Sequence, residues 1–183
     1  MPQEQGLIWD ACTLLNLIAT KRASEILTAL ASPSYVVREV REREVLYLRP
    51  LPEDDPQGKL IKVDLEPLFS TGVLQEVEMT EEEQRLFVMF ASEMDDGEAR
   101  STAVAVQRGW RLVTDDKVSL RIAREYSPAI PTLTTPEWVK AWAEKAPAKK
   151  ETLSETLRRI EACANYTPRR LHSLKAWWEA NTL

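Results

Sequence analysis

The chain has 183 residues, 44% of them hydrophobic, which is the size of one domain with a substantial core. Its net charge of −5 argues against a generally basic surface for nucleic acid, although nine basic and five acidic residues follow from Lys140 onward. The single histidine, His172, argues against a histidine-rich zinc site and against a nucleophile with a histidine base. Any chemistry has to come from carboxylates.

The cysteines and the apolar runs suggest where the protein is found. Cys12 and Cys163 imply no disulfide framework and fit small buried residues in a reducing compartment. The sequence shows no signal-peptide pattern and no apolar run near the roughly 18 residues of a membrane helix. We therefore expect a cytoplasmic protein without membrane contact.

In chain order, the sequence first predicts two units of strand and helix. Residues 6–10 predict a buried strand, and residues 12–20 predict the helix behind it. A second short strand is predicted at 27–31. A helix is predicted at 32–44, because a Ser-Pro pair at its start is typical of a cap and a first helical position.

The middle of the chain predicts a hairpin or an extended excursion, followed by a further unit of strand and helix. Residues 45–63 contain two alternating stretches around a turn-rich segment, which predicts a hairpin. Residues 73–79 predict a strand. Thr80 and Glu83 form a capping-box pattern ahead of a further helix.

The last part predicts helix, strand, helix, strand and then a helical tail. A small-residue helix is predicted at 98–108 with Gly109 as its stop, followed by a strand at 111–114 and another helix. A final strand is predicted within 128–135. Tail helices are predicted at 136–145, 152–165 and 168–180, with a linker-like stretch at 145–151. Strands that alternate with helices indicate an α/β fold with a mostly parallel sheet and C-terminal helices.

Several acids are predicted to meet at one edge of this sheet. The C-terminal ends of parallel strands share an edge, which is where open α/β sheets bind ligands. Asp10 follows the first strand, Asp115 and Asp116 follow a later one, and Glu39 and Glu98 lie on helices able to approach the same edge. Close carboxylates favour a hard cation such as Mg²⁺ or Mn²⁺, which suits metal-assisted phosphodiester hydrolysis.

Each acid also has a structural interpretation. Asp10 fits a helix cap, Glu98 favours the positive end of its helix, and Asp115 with Asp116 fits a turn and a cap. Glu39 lies in a run of alternating charges that is typical of a solvated helix face. The recurrence of acids at one sheet edge favours a functional site over these separate interpretations.

Three separated segments resemble PIN-domain nucleases, particularly the bacterial VapC-like group: "LIWDACTLLNLIA", "YVVREV" and "DDGEARSTAVAVQRGWRLVTDD". The resemblance places the four family acids on Asp10, Glu39, Glu98 and Asp116, with Asp115 adjacent to the last. It covers roughly residues 6–132. Glutamate stands at the third position, where aspartate is commoner, and the stretch at about 45–80 is longer than in compact members.

The resemblance implies a three-layer α/β/α sandwich over residues 1–134, with an extended insertion at about 45–80. Residues 135–183 then form a C-terminal helical extension packed on this core. The aromatic residues of that tail favour a packing or dimer surface over a base-stacking platform.

The resemblance further implies a Mg²⁺- or Mn²⁺-dependent endoribonuclease that leaves 5'-phosphate and 3'-hydroxyl ends. Asp10, Glu98 and Asp116 would bind metal, with Asp115 beside them, and Glu39 would help to bind metal or orient water. The family implies the toxin of a toxin-antitoxin pair, held by a small antitoxin and commonly a homodimer. Three weaker candidates support the acids: Asn16, Thr114 and Arg121, the last as a phosphate contact.

Other classes of protein remain open from the sequence. The main alternative is a catalytically inactive PIN-like module that binds RNA or serves assembly. A phosphatase with an aspartyl nucleophile is less favoured, because no second aspartate stands two positions after Asp10. A dinucleotide-binding enzyme is disfavoured because five scattered glycines form no phosphate-binding loop.

Overall fold

The computed structural model describes residues 6–146 and 148–182. Its strands are β1 (Leu7–Trp9), β2 (Ser34–Val37), β3 (Tyr47–Leu48), β4 (Ile61–Lys62), β5 (Gln75–Val77), β6 (Arg111–Val113) and β7 (Thr132–Leu133). Five of them form a central sheet in the order β5-β2-β1-β6-β7, and all of its neighbouring pairs are parallel. Ile8 lies between Tyr35 and Leu112 in this register. The antiparallel pair of β3 and β4 stands apart.

Ten helices surround the sheet in the described part of the chain. They are α1 (Ala11–Ala19), α2 (Ala23–Leu30), α3 (Arg38–Arg43), α4 (Glu66–Ser70), α5 (Glu81–Phe90), α6 (Asp96–Arg108), α7 (Lys117–Glu125), α8 (Thr135–Lys145), α9 (Lys150–Cys163) and α10 (Lys175–Thr182). Helix α6 packs on β1, β2 and β6 and against α3, α5 and α7. Helices α1, α2, α8, α9 and α10 form a second connected group. The arrangement is consistent with a three-layer α/β/α fold.

The central strands are short and buried on both faces. Ile8, Trp9, Val36, Val37 and Val113 have no exposed surface. Such strands read as continuous apolar runs, which is why their parallel pairing was predictable from the sequence. The predicted hairpin, the strand within 73–79 and the Thr80 capping box are also confirmed.

In the second unit the predicted strand at 27–31 is wrong, and the helix predicted at 32–44 is confirmed only over α3 (Arg38–Arg43). Residues 27–30 end helix α2, because Ile26, Leu27 and Leu30 bury one helical face, and Ala31 closes the helix in the left-handed conformation. Residues 34–37 form β2 instead of helix. Its Tyr-Val-Val run is favoured in a pleated sheet and pairs with both β1 and β5, and this pairing outweighs the cap signal of Ser-Pro.

The tail differs from its prediction at two helix starts. Thr134, one residue before the predicted cap, forms the capping box of α8. The helix predicted at 168–180 begins only at Lys175, because the preceding segment is held by contacts to the sheet edge that are described below. The predicted linker separates α8 from α9, and its Pro147 lies outside the described residues, as do residues 1–5 and Leu183.

The C-terminal helices pack into the same core as the sheet. Trp138 of α8 is fully buried and lies 5.9 Å from Trp9 between ring centroids. Trp178 of α10 is also fully buried, and its indole N–H donates to Glu161 at 2.7 Å. Across residues 6–146 and 148–182, no helix combines the length and the apolar character needed to cross a membrane.

Candidate functional site

The C-terminal edge of the sheet opens into a cleft of about 380 Å³. One wall carries the predicted acids Asp10, Glu98, Asp115 and Asp116. Residues of the segment 165–172, between α9 and α10, form another wall of the same cleft. Positions that are as much as about 160 residues apart in sequence therefore share one concave surface.

Asp10 is both a helix cap and a buried charge at the base of this cleft. It is 1% exposed, and its Oδ1 accepts the backbone N–H of Thr13 at 2.7 Å, which caps α1. The Thr114 hydroxyl donates to its Oδ2 at 2.5 Å and accepts the backbone N–H of Asp116 at 3.1 Å. Thr114, a predicted supporting residue, thus connects two of the acids.

The chemistry around Asp10 favours a proton on its carboxyl group. Burial raises its pKa from 3.8 to about 7, although hydrogen bonds from Thr114 and Thr13 oppose the shift. Thr13 Oγ1 lies 2.5 Å from Asp10 Oδ1 and 2.9 Å from the carbonyl of Val113, and one hydroxyl proton serves only one of them. A protonated Asp10 can donate to Thr13 while Thr13 donates to Val113. A cation would stabilise the ionised form in place of this proton.

In a Thr114→Val variant, we expect the pKa of Asp10 to rise above its wild-type value of about 7. The hydroxyl bond that this change removes favours the ionised carboxylate, so the shift should be on the order of one unit. Carboxyl ¹³C chemical shifts followed against pH measure it. Thr135→Val, which removes a hydroxyl donor to Asp115 instead, is the matched control. Equal titration of Asp10 in both variants would contradict this assignment.

Asp115 lies in the same cleft but is engaged by protein donors. Its Oδ1 accepts from the backbone N–H of Thr135 at 3.0 Å and from the Tyr166 hydroxyl at 2.9 Å. Its Oδ2 accepts from the Thr135 hydroxyl at 2.5 Å and from Asn16 Nδ2 at 3.4 Å. Burial raises its pKa. Asp115 and the buried Asn16 therefore hold α8 in place, and Asp115 also holds the segment 165–172 through Tyr166. These contacts leave Asp115 less free to bind a cation.

Asp116 presents one oxygen without a protein donor, and the Glu98 carboxylate interacts only with its own backbone N–H among the donors of the described residues. Asp116 caps α7 by accepting the backbone N–H of Ser119 at 2.7 Å through Oδ2, and its Oδ1 accepts from none of the described residues. Glu98 stands in the first turn of α6 and is half-buried. Burial raises its pKa, and the negative charges of Asp95 and Asp116 add to the shift.

Glu44, which the sequence did not single out, lies nearer to this site than Glu39. A Cβ atom at Gly97 would overlap the Glu44 carboxylate, so the two residues are in close contact over the first turn of α6. Burial raises the pKa of Glu44, and the charge of Glu98 raises it further. Glu39 does not line the cleft, and its Oε2 is buried without a hydrogen-bond partner among the described residues.

Two further residues differ from their predictions. Arg121, predicted as a phosphate contact, pairs with Glu93 at 2.5 Å and with Glu125 at 3.3 Å and does not line the cleft. Cys12, predicted to be buried, is exposed at the cleft, whereas Cys163 is buried. Although part of Cys12 is exposed, loss of solvent around its thiol within the cleft and the charges of Asp10 and Glu98 raise the pKa of that thiol to about 12.

The donor set suits a hard divalent cation. Asp10, Glu98 and Asp116 offer carboxylate oxygens, which Mg²⁺ and Mn²⁺ prefer. Burial and mutual repulsion disfavour their charges, and a cation would relieve both. As they stand, no three carboxylate, thiol or imidazole groups of residues 6–146 and 148–182 are close enough together to hold an ion. Binding would therefore draw the flexible Glu98 side chain toward Asp10 and Asp116.

Comparison with known proteins gives no assignment for this site. No protein-family model matches the chain, and no curated protein matches it. The function has to be inferred from the residues and their geometry.

Proposed function

We propose that the protein is a Mg²⁺- or Mn²⁺-dependent phosphodiesterase that hydrolyses RNA, with the PIN-like character that its sequence resembles. The observation that carries this proposal is the cleft itself, which is lined by Asp10, Glu98 and Asp116 together with Arg169. Carboxylates suit a cation, and an arginine in the same cleft suits a phosphate group.

Asp10, Glu98 and Asp116 would hold the cation. When bound, a divalent cation lowers the pKa of a water ligand and neutralises charge on a phosphate oxygen. The fixed parts of the site are Asp10, bound by Thr13 and Thr114, and Asp116, bound by Ser119. Rigid carboxylates of this kind lose little conformational entropy on binding a ligand.

The chain's own groups would manage the proton of the attacking water. The pKa of Glu98 is raised by burial, which makes its carboxylate a better proton acceptor than an exposed one. Asp10 and Asp116 are fixed at the strand ends and would orient the reacting groups. The charges of Asp95 and Asp116 raise the pKa of Glu98 further.

The finer assignment follows the resemblance to VapC-like ribonucleases. In that assignment the protein is an endoribonuclease toxin that works in the cytoplasm, forms a homodimer and is held inactive by a small antitoxin. Its products carry 5'-phosphate and 3'-hydroxyl ends. The charge of −9 on residues 1–139 is compatible with RNA binding only if the cation and the basic tail offset it.

The test is cleavage of a mixed pool of single-stranded RNA by the full chain with Mn²⁺ or Mg²⁺, compared with EDTA. We expect cleavage that needs the metal and falls by about 100-fold or more in Glu98→Gln and Asp116→Asn. Asp96→Asn, an exposed acid two residues before Glu98 and outside the cleft, should retain activity. RNA binding without metal-dependent cleavage would instead support the non-catalytic RNA-binding module.

We further expect Glu44→Gln to weaken Mn²⁺ binding by about 10-fold, on the scale of groups that tune metal ligands. Neither Glu44 nor Glu39 lines the cleft, but the Glu44 carboxylate lies over Gly97 and interacts with the charge of Glu98. Isothermal titration calorimetry measures the Kd, with Glu39→Gln as the matched control. A larger loss in Glu39→Gln would show that Glu39, the position assigned by the family resemblance, serves the metal.

A further inference from the structure

We propose that the segment 165–172 is a substrate-binding wall and that Arg169 is its contact to an RNA phosphate. This inference rests on the proposed function, because it names the residue that holds the substrate of that site. Arg169 belongs to the C-terminal extension, outside the region that resembles PIN-domain nucleases.

The wall is attached to the sheet edge on both sides of Arg169. Three residues earlier, the Tyr166 hydroxyl donates to Asp115 at 2.9 Å. Three residues later, the His172 ring lies 3.0 Å from the Thr134 hydroxyl oxygen through Nε2. Pro168 between them is buried. Arg169 is thus carried on a short span whose two ends are fixed to the same edge as the acids.

The hydrogen bonds of His172 fit a positioning role. Its Nδ1 accepts the backbone N–H of Leu174 at 3.1 Å, so the proton of the neutral ring sits on Nε2 and donates to Thr134. The Thr134 hydroxyl in turn donates to Glu137 at 2.8 Å. Both ring nitrogens are used in holding the wall, which leaves the phosphate contact to Arg169.

Arg169 is exposed in the cleft and keeps its donors free. Its guanidinium makes no ion pair and no hydrogen bond within residues 6–146 and 148–182, although four carboxylates line the same cleft. Its backbone carbonyl accepts the N–H of His172 at 2.9 Å. Arg121, which the sequence predicted for this role, is occupied by two glutamates. A guanidinium with free donors matches the oxygens of a phosphodiester in charge and in geometry.

Arg169 lines the same cleft as Asp10, Glu98 and Asp116. The acids would hold the cation, and Arg169 would contact a phosphate oxygen of the substrate bound there.

The experiment compares Arg169→Gln with Arg170→Gln in the full chain. Arg170 is the adjacent residue, is also exposed and does not line the cleft, so the two variants lose the same charge. Binding of a fluorescein-labelled single-stranded RNA is measured by anisotropy in EDTA at several salt concentrations. KM and kcat for RNA cleavage are measured in Mn²⁺, and thermal unfolding is followed for both variants.

We expect Arg169→Gln to weaken RNA binding about 10-fold and to raise KM in proportion, with kcat and the unfolding temperature unchanged. The slope of log K against log salt should fall by about 0.7, the value for one lost phosphate contact to a single strand. Arg170→Gln should stay within about 2-fold of wild type.

The outcomes separate this inference from the proposed function. Metal-dependent cleavage with equal effects of the two variants would overturn the role of Arg169 and leave the nuclease intact. RNA binding that depends on Arg169 without any cleavage would support the wall and overturn the nuclease. An absence of RNA binding and of cleavage in the wild-type chain would overturn both.

Discussion

At pH 8 we expect the free energy of unfolding of an Asp10→Asn variant to exceed that of wild type by about 2 kcal/mol, so that the variant is more stable. The same variant should cleave RNA about 1,000-fold more slowly. Both effects have the same origin, since the site holds an acid where burial disfavours its charge. Burial raises the pKa of Asp10 from 3.8 to about 7 in the folded protein.

The direction of the stability change follows from these two pKa values. Below about pH 4 the carboxyl group is protonated in both the folded and the unfolded chain, and its contribution to stability is fully present. As the pH rises from about 4 through 7, the unfolded chain ionises first, and stability is lost. A difference of about 3 pKa units between the unfolded and the folded chain destabilises wild type by about 4 kcal/mol at pH 8. The asparagine variant avoids this cost, but its amide makes weaker hydrogen bonds, which cancels about half of the gain.

Urea unfolding at pH 5 and pH 8 without metal measures this effect. Asp116→Asn is the matched control, because it also caps a helix at a strand end but is only half-buried. Mn²⁺ should stabilise wild type and leave Asp10→Asn unchanged, as expected for a ligand that binds only the folded wild-type site. If the free energy of unfolding depended on pH identically in wild type and Asp10→Asn, the raised pKa of Asp10 would be contradicted.

The second large effect should come from Asp54→Ala, which we expect to lower the free energy of unfolding by about 3 kcal/mol. Arg159 of α9 is 5% exposed, donates to Asp54 at 2.6 Å and donates to the carbonyl of Ala19 at the end of α1 at 3.0 Å. Without Asp54 this buried guanidinium has no counter-charge. Arg159 thus joins the C-terminal extension both to the segment between β3 and β4, which carries Asp54, and to the end of α1, the helix that Asp10 caps.

The pair of Asp54 and Arg159 gives the free energy of unfolding a pH dependence opposite to that of Asp10. Hydrogen bonds from Lys21 and Arg159 lower the pKa of Asp54 from 3.8 to about 2. This contribution to stability is present above about pH 4 and is lost as the pH falls through 2. Glu53→Ala, which removes an exposed partner of Arg158 at 2.7 Å in the adjacent pair, should leave stability nearly unchanged. Similar losses in both variants, followed by urea unfolding, would contradict the buried role of Asp54.

The strand-end acids were predictable because their signals are local. A buried apolar run followed by an acid and a helical pattern locates Asp10, and the same reasoning locates Asp116. Both acids cap helices, and both line the cleft. The structural interpretation of these acids is therefore confirmed, and it is compatible with the proposed metal-binding role, since each capping carboxylate also lines the cleft.

Glu44 and the wall of segment 165–172 were not predictable from local patterns. Glu44 and Glu39 belong to one run of alternating charges, and only the packing of α3 on α6 brings Glu44 over Gly97. The one signal in the sequence was Gly97 itself, at the start of a helix where a side chain would be excluded. The wall depends on contacts across about 40 to 50 residues, from Tyr166 to Asp115 and from His172 to Thr134.

The central claim is that Asp10, Glu98 and Asp116 bind a divalent cation, and anomalous X-ray scattering from crystals soaked in MnCl₂ tests it most directly. We predict a manganese peak at coordination distance from these three carboxylates in wild type and no peak there in Asp10→Asn. A wild-type cleft without manganese, or a peak at the same place in both proteins, would contradict the claim.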